Sequence, residues 1–136
     1  MITPEEAALL YRVVLSGRAY HEYHLARLYV RAVSGETAME EWVEGFRKSL
    51  ASLEYMPYRA VAPESERFGR ETRQIVYKAK GASYSYRIVY QIHENGDLWV
   101  MVLHLRHSSQ DAISRYDADV IERQAGFDAT ATDKTG

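Results

Sequence analysis

The chain of 136 residues contains no cysteine, which removes disulfides, thiolate metal ligands and a thiol nucleophile together, and fits a reducing compartment. It also lacks any run of the roughly 18 to 20 apolar residues that a spanning helix requires. The start, MITPEEAALL, has no basic segment ahead of an apolar one, so the expectation is a soluble, unexported, cytoplasmic protein with no membrane partner. A strong excess of either charge is missing too. Seventeen Lys and Arg against nineteen Asp and Glu leave a net charge of −2, unlike a protein that coats nucleic acid by bulk charge. No internal repeat and no low-complexity stretch is visible.

The composition that remains is globular, with 46% hydrophobic and 26% charged residues, and the length suits one core. One domain over residues 1–127 with a flexible tail at 128–136 is expected, since DATATDKTG has no apolar periodicity. The charge is unevenly spread. Residues 1–58 carry 6 basic against 8 acidic side chains, residues 59–107 carry 8 against 5, and residues 108–136 carry 3 against 6. The middle third, at +3, is where a local field could attract an anion.

Local patterns order the elements. Thr3-Pro4-Glu5-Glu6 reads as an N-cap, an N1 proline and a capping-box glutamate. Tyr11 to Leu15 is a β-branched run stopped by Ser16-Gly17, hence a strand. From residue 18 to about 33 the period becomes helical, with Leu25, Leu28, Tyr29 and Ala32 as its apolar face and Gly35 as its stop. Thr37-x-x-Glu40 predicts the cap of a second helix whose stripe is Met39, Trp42, Val43, Phe46, Leu50 and Leu53. Residues 57–70, with two prolines and several charges, predict an exposed loop.

Three strands follow, over 72–80, 84–92 and 98–105, joined by Gly81-Ala82-Ser83 and by Asn95-Gly96, a strong hairpin signal. The last of them, LWVMVLHL, is apolar on both faces, as a central strand is. A short helix over about 109–123 completes the chain. The fold class is therefore α+β: a two-helix hairpin on one face of a small, mostly antiparallel sheet in the order β-α-α-β-β-β, with a right-handed crossover making the first strand parallel to one of the meander. By alternation Lys78, Lys80, Arg87 and Gln91 should stand on the opposite, open face, and Ile75, Tyr77, Ile88 and Tyr90 against the helices.

The segment YKAKGASYSYRIVYQI, the NG turn and LWVMVLHLRHSSQD, preceded by YRVVLSGRA and LASLEYMPYR, resemble the RelE/ParE toxin superfamily of type II toxin–antitoxin systems, of the plasmid-stabilisation type. The resemblance runs from about Tyr11 to Asp111. It implies a toxin partnered by a cognate antitoxin, and it offers two activities on one scaffold: a ribosome-associated endoribonuclease that cleaves mRNA and inhibits translation, or a gyrase-poisoning protein without chemistry of its own. An inert relative that only binds its antitoxin is the third possibility.

In the ribonuclease branch a Lys-x-Lys pair and an arginine in a Tyr-Arg-x-Val-Tyr-Gln strand serve catalysis, and they land here on Lys78, Lys80 and Arg87. Cleavage through the 2′-hydroxyl requires a base, cations around the phosphorane-like transition state and an acid for the leaving oxygen, without any metal or cofactor. Crowded cations favour the neutral amine that a lysine base needs, Arg87 would grip phosphate in bidentate fashion, and His107 is the natural proton donor. Arg73, Gln91 and Arg106 complete the candidate set as RNA contacts. The branch's post-strand arginine and later tyrosine are replaced by Arg106-His107-Ser108-Ser109-Gln110-Asp111, with the next tyrosine at Tyr116, an ending that resembles gyrase-type or unassigned members. His21-Glu22-Tyr23-His24 is one residue short of a zinc helix and predicts no metal site.

Overall fold

The computed structural model describes residues 10–135, so the capped turn expected at Thr3-Pro4-Glu5-Glu6 lies outside the described residues. Within them the chain runs β1 (Arg12–Leu15), α1 (Gly17–Ser34), α2 (Glu36–Ser52), a single 3-10 turn at Ser65–Arg67, β2 (Arg73–Tyr77), β3 (Tyr86–His93), β4 (Trp99–His107) and α3 (Arg115–Thr135). The sheet order is β1-β4-β3-β2, antiparallel except that β1 runs parallel to β4. This is the α+β order read from the sequence, with the crossover through the two helices that a parallel first strand demands.

Ser16 joins β1 to α1. Its hydroxyl accepts from the Ala19 N–H and donates to the Leu103 carbonyl at 3.1 Å each, so one buried side chain caps the helix and satisfies the edge of β4 where β1 stops. Gly35, at φ +95°, closes α1 by donating to the Arg31 carbonyl and opens α2 by accepting from Met39. A left-handed backbone at this junction requires glycine. The Thr37 cap expected from the sequence is not used, because α2 has already begun at Glu36 with Gly35 in the capping position. Gly45 is a close approach: a Cβ there would stand 2.3 Å from the Tyr77 hydroxyl, which donates to the Trp42 carbonyl and ties α2 to β2.

The α2 stripe behaves as its period predicts, with Met39, Trp42, Phe46 and Leu53 buried and Val43 and Leu50 partly so. The α1 stripe does not. Ala19, Ala26 and Val30 are buried, whereas Leu25, Leu28 and Tyr29 stay about half exposed. Small side chains let α1 approach β4 closely, and periodicity cannot choose between two apolar faces of one helix.

A bulge in the β3–β4 ladder changes the facing of β4. Val89 pairs with His104 but Tyr90 with Val102, leaving Leu103 as the extra residue. Val100, Val102 and Leu105 consequently enter the hairpin core, and Met101 and Leu103 face the other way.

That other face is covered, contrary to the expectation of an open one. Val89, Met101 and Leu103 pack against Ile113, Ala118, Ile121 and Ala125, with Phe68 from the connecting loop. The helix expected at 109–123 starts later and continues to Thr135, through most of the stretch read as a tail. The reason was visible in β4: a strand apolar on both faces needs a layer on each side. The 57–70 connection is likewise not simply exposed, since Ala62, Glu64 and Phe68 are buried in it. No helix among the described residues is long and apolar enough to cross a membrane.

Candidate functional site

The seven candidate residues are divided among the two faces of the sheet, one of its edges and the turn from β2 to β3. Arg87 faces α3, and each of its three guanidinium nitrogens has a partner. Nη1 and Nη2 donate to the two carboxylate oxygens of Glu64 at 2.9 and 2.6 Å, and Nε donates to Gln74 at 2.7 Å. Glu64 also accepts from the Ile113 N–H at 2.9 Å. Burial alone would raise the Glu64 pKa, but the hydrogen bonds from Arg87 and Ile113, with the Arg87 charge, outweigh it and lower the value from 4.5 to about 2. The pair stays ionised and closed on itself at neutral pH.

Gln91 is buried beside it, its amide donating to Thr72 Oγ1 at 3.1 Å and to Glu122 at 2.6 Å. Arg106 is buried too. Its Nε donates to the Asp111 carbonyl at 2.7 Å and its Nη1 to His104 Nε2 at 3.3 Å. With Nε2 accepting, His104 carries its proton on Nδ1 and donates it to Glu22. Glu22 accepts as well from the Leu105 N–H at 3.1 Å, satisfying β4 beyond the end of β1. These groups clamp α1, β4 and the segment leading to α3. Arg73, at the β2 edge, donates to Glu71 and to the Arg59 carbonyl and lies 4.9 Å from the centre of the Tyr58 ring.

Lys78 and Lys80 are placed elsewhere. β2 ends at Tyr77, so both lysines lie in the turn toward β3 rather than on the strand expected to reach residue 80, and both are exposed. His107 lies on the hairpin side, the face opposite Arg87. Its ring stacks on Tyr84 at 5.3 Å and meets Tyr86 edge-on at 5.1 Å, and its Nδ1 accepts from the Ser109 N–H and hydroxyl at 3.0 and 2.7 Å. Tyr86 is pushed up to about 12 by burial, with Tyr84 and Tyr29 adding to the effect, so its phenol stays protonated at neutral pH. One phosphate could not touch Arg87 and His107 together.

Sequence reasoning missed Glu64 and His104, which occupy Arg87 and Arg106, and Glu22, which holds His104 in turn. Glu22 was noticed only as the middle of His21-Glu22-Tyr23-His24, yet it turns to His104 and Arg18. Among the described residues no group of three or more His, Asp or Glu is placed to hold a metal.

Two concavities open on the hairpin side. One of 440 Å³ is bordered by Glu22, Leu25, Tyr29, Leu105, His107 and Gln110. The other, of 590 Å³, lies between the α1–α2 junction and the β2–β3 turn, with Trp42, Tyr77 and Tyr84 in its floor and Lys48, Lys78 and Lys80 around it. A third of 340 Å³ lies at the α3 face, where His93 stacks on Trp99 at 4.2 Å beside Arg70 and Glu122.

A family model described as the ParE toxin of the type II toxin–antitoxin system parDE matches residues 13–112. That span takes in β1 to β4 and the segment leading to α3. No curated protein matches the chain.

Proposed function

The chain belongs to the ParE toxin family of type II toxin–antitoxin systems, and from that premise we propose that it is a toxin that acts by binding, with DNA gyrase as its target, rather than a ribonuclease. The observation that carries this reading is the closed Arg87–Glu64 pair. A phosphoryl-transfer site requires its arginine aimed at the position where charge develops, and here three donor nitrogens of Arg87 are spent on Glu64 and Gln74. Arg106 holds Asp111 and His104, and His107 is on the opposite face within a ring cluster. What the ribonuclease reading retains is Lys78 and Lys80, two exposed cations whose concavity is also lined by Glu41, Glu44 and Lys48 and, among the described residues, by no arginine.

The family implies a cognate antitoxin that silences the toxin, and both would meet the target in the cytoplasm. Induction of the chain in a host lacking the antitoxin tests the reading. Growth should stop, purified gyrase should accumulate trapped cleavage complexes, and the 5′ ends of cellular mRNA should match those of uninduced cells. New mRNA ends without gyrase-linked breaks would overturn the binding mechanism in favour of the endoribonuclease, and normal growth with folded protein present would leave only an inert relative.

A further inference from the structure

The sheet face beneath α3 holds a concavity that the toxin reading does not use. It measures 340 Å³ and opens between the Gly69-Arg70 loop, the ends of β3 and β4 nearest their connecting turn, and the middle of α3. Its floor is apolar, with Met101 and Ala125 both buried. One wall is aromatic: His93 and Trp99, opposite each other in the β3–β4 ladder, stack at 4.2 Å with their planes 22° apart and stay partly exposed. An apolar floor with a few placed polar groups is the usual make-up of a ligand site, and this volume lies at the small end of the roughly 300 to 1,000 Å³ that such sites span.

Two charged groups border this space, and they are held differently. The Glu122 carboxylate is fixed: Oε1 accepts from the Gly69 N–H at 2.8 Å and Oε2 from the buried Gln91 amide at 2.6 Å, with Gln91 anchored in turn on Thr72. Each oxygen keeps a lone pair for a further donor. Arg70, in contrast, forms no ion pair among the described residues. Its Nη1 lies 3.1 Å from His93 Nε2. Burial, with the Arg70 charge adding to it, holds the His93 pKa below the ordinary imidazole value, so the ring is neutral at pH 7 and does not offset that charge. Nε and Nη2 of Arg70 are left for an oxyanion.

These groups call for a ligand in three parts: N–H or O–H donors for the held carboxylate, a flat ring for the aromatic wall, and one oxyanion for Arg70. We propose that the concavity binds a free nucleoside monophosphate, with its base against Trp99 and His93, its phosphate on Arg70, and its hydroxyl or amino hydrogens on Glu122. Arg70 is the only Lys or Arg among the described lining residues, and one cation suits one phosphate, whereas a nucleic-acid strand calls for a run of cations along its backbone. Glu94 and Asp97, in the turn between His93 and Trp99, add negative charge that disfavours a polyanion. A ligand seated here bridges the 69–70 loop, the sheet and α3, and so stabilises the layer that covers Arg87. The site goes beyond the binding reading and does not depend on the toxin's target.

The test is titration of the full chain with AMP and with GMP, followed by tryptophan fluorescence and by calorimetry. Of the two tryptophans, Trp42 is 1% exposed in the hairpin core, so a ligand-dependent change reports on Trp99. At least one of the two nucleotides should quench saturably at one site per chain, with Kd on the order of 10 to 100 μM. Arg70→Ala should raise Kd about 10-fold, and the parent nucleoside, lacking phosphate, should bind the wild type about 10-fold more weakly than its nucleotide. Trp99→Leu should cost about 10-fold by calorimetry through lost stacking. Arg115→Ala, an exposed cation of α3 outside the concavity, should stay within about 2-fold. Thermal melts verify folding, and if Trp99→Leu fails to fold, the exposed Arg70 and the nucleoside carry the test. Absence of saturation by either nucleotide, or wild-type affinity in Arg70→Ala, would overturn the proposal. So would inorganic phosphate that binds as tightly as the nucleotide, which would leave an anion site alone, or a single-stranded oligonucleotide that binds more tightly, which would make the occupant a nucleic-acid strand. None of these readings uses growth or gyrase, so failure here and failure of the toxin mechanism are told apart.

Discussion

Replacing Glu64 by glutamine probes the closure of Arg87 directly. The amide keeps the size of the carboxylate but removes its charge and leaves Arg87, with 18% of its side chain exposed, without a counter-ion. The fall of the Glu64 pKa from 4.5 to about 2 corresponds to on the order of 3 kcal/mol, at about 1.4 kcal/mol per pH unit. Breaking one partner of a buried ion pair costs about 3 to 5 kcal/mol by independent comparison, so the two routes agree on magnitude. The sign with pH follows from the lowered folded-state value. The contribution is complete above the unfolded pKa of 4.5 and is lost as pH falls toward about 2. Urea unfolding at pH 7 should therefore show Glu64→Gln about 3 kcal/mol less stable at unchanged m, and the gap should close progressively between about pH 5 and pH 2. Glu64→Met with Arg87→Met should recover much of the loss, because no buried charge is left unpaired. A Glu64→Gln variant within about 0.5 kcal/mol of wild type at pH 7, or a gap that does not narrow with acid, would refute the reasoning and return Arg87 to the candidates for phosphate contact.

Two further substitutions test the packing of α1 and α2 against the sheet. Gly45→Ala should cost about 2 kcal/mol in chemical unfolding through overpacking against the Tyr77 hydroxyl, and Tyr77→Phe in the same chain should relieve part of it; an unchanged midpoint would mean that α2 and β2 are less tightly apposed. Glu22→Ala should cost about 2 kcal/mol, because the Leu105 N–H and the His104 Nδ1–H lose their acceptor in a buried setting, and amide exchange at Leu105 should quicken measurably; a protected Leu105 amide would show that another group takes over.

The fold was legible because its signals are local and agree with one another. The α2 stripe, the Asn95-Gly96 turn, the Ser16-Gly17 stop and the alternation of β3 each specify one element, and the order of elements leaves a parallel β1 as the natural arrangement. The facing of residues was less legible, for three physical reasons. α1 has two apolar sides, and only the approach of Ala19, Ala26 and Val30 to β4 selects one. The bulge at Leu103 reverses the facing of half of β4, so no alternation count carries across it. The second layer on the sheet comes from Ile113 and α3, whose apolar residues are mostly alanines and isoleucines spaced too sparsely to stand out as a stripe. The candidate site inherited these errors: Arg87, Gln91 and Arg106 were correctly placed on the face away from the hairpin or left undecided, but that face is interior.

The same reasoning explains what became of the +3 middle segment. Of its eight basic side chains, Arg59 donates to the Met56 carbonyl, Arg67 to the Ile113 carbonyl and Arg70 contacts His93. Arg73, Arg87 and Arg106 are held by Glu71, by Glu64, and by His104 with the Asp111 carbonyl. Arginine is suited to such work because its fork satisfies several carbonyl and carboxylate oxygens at once, whereas a lysine offers a point charge on a flexible stem. All six arginines of the segment therefore have partners within the fold, Arg67 and Arg70 while remaining exposed, and the two lysines, Lys78 and Lys80, are the ones that border the concavity between the α1–α2 junction and the β2–β3 turn. Two exposed ammonium groups are not the fixed, desolvated cation cluster that a phosphoryl-transfer transition state requires, and the division of labour between arginine and lysine within one segment therefore supports the binding reading proposed above over the ribonuclease one.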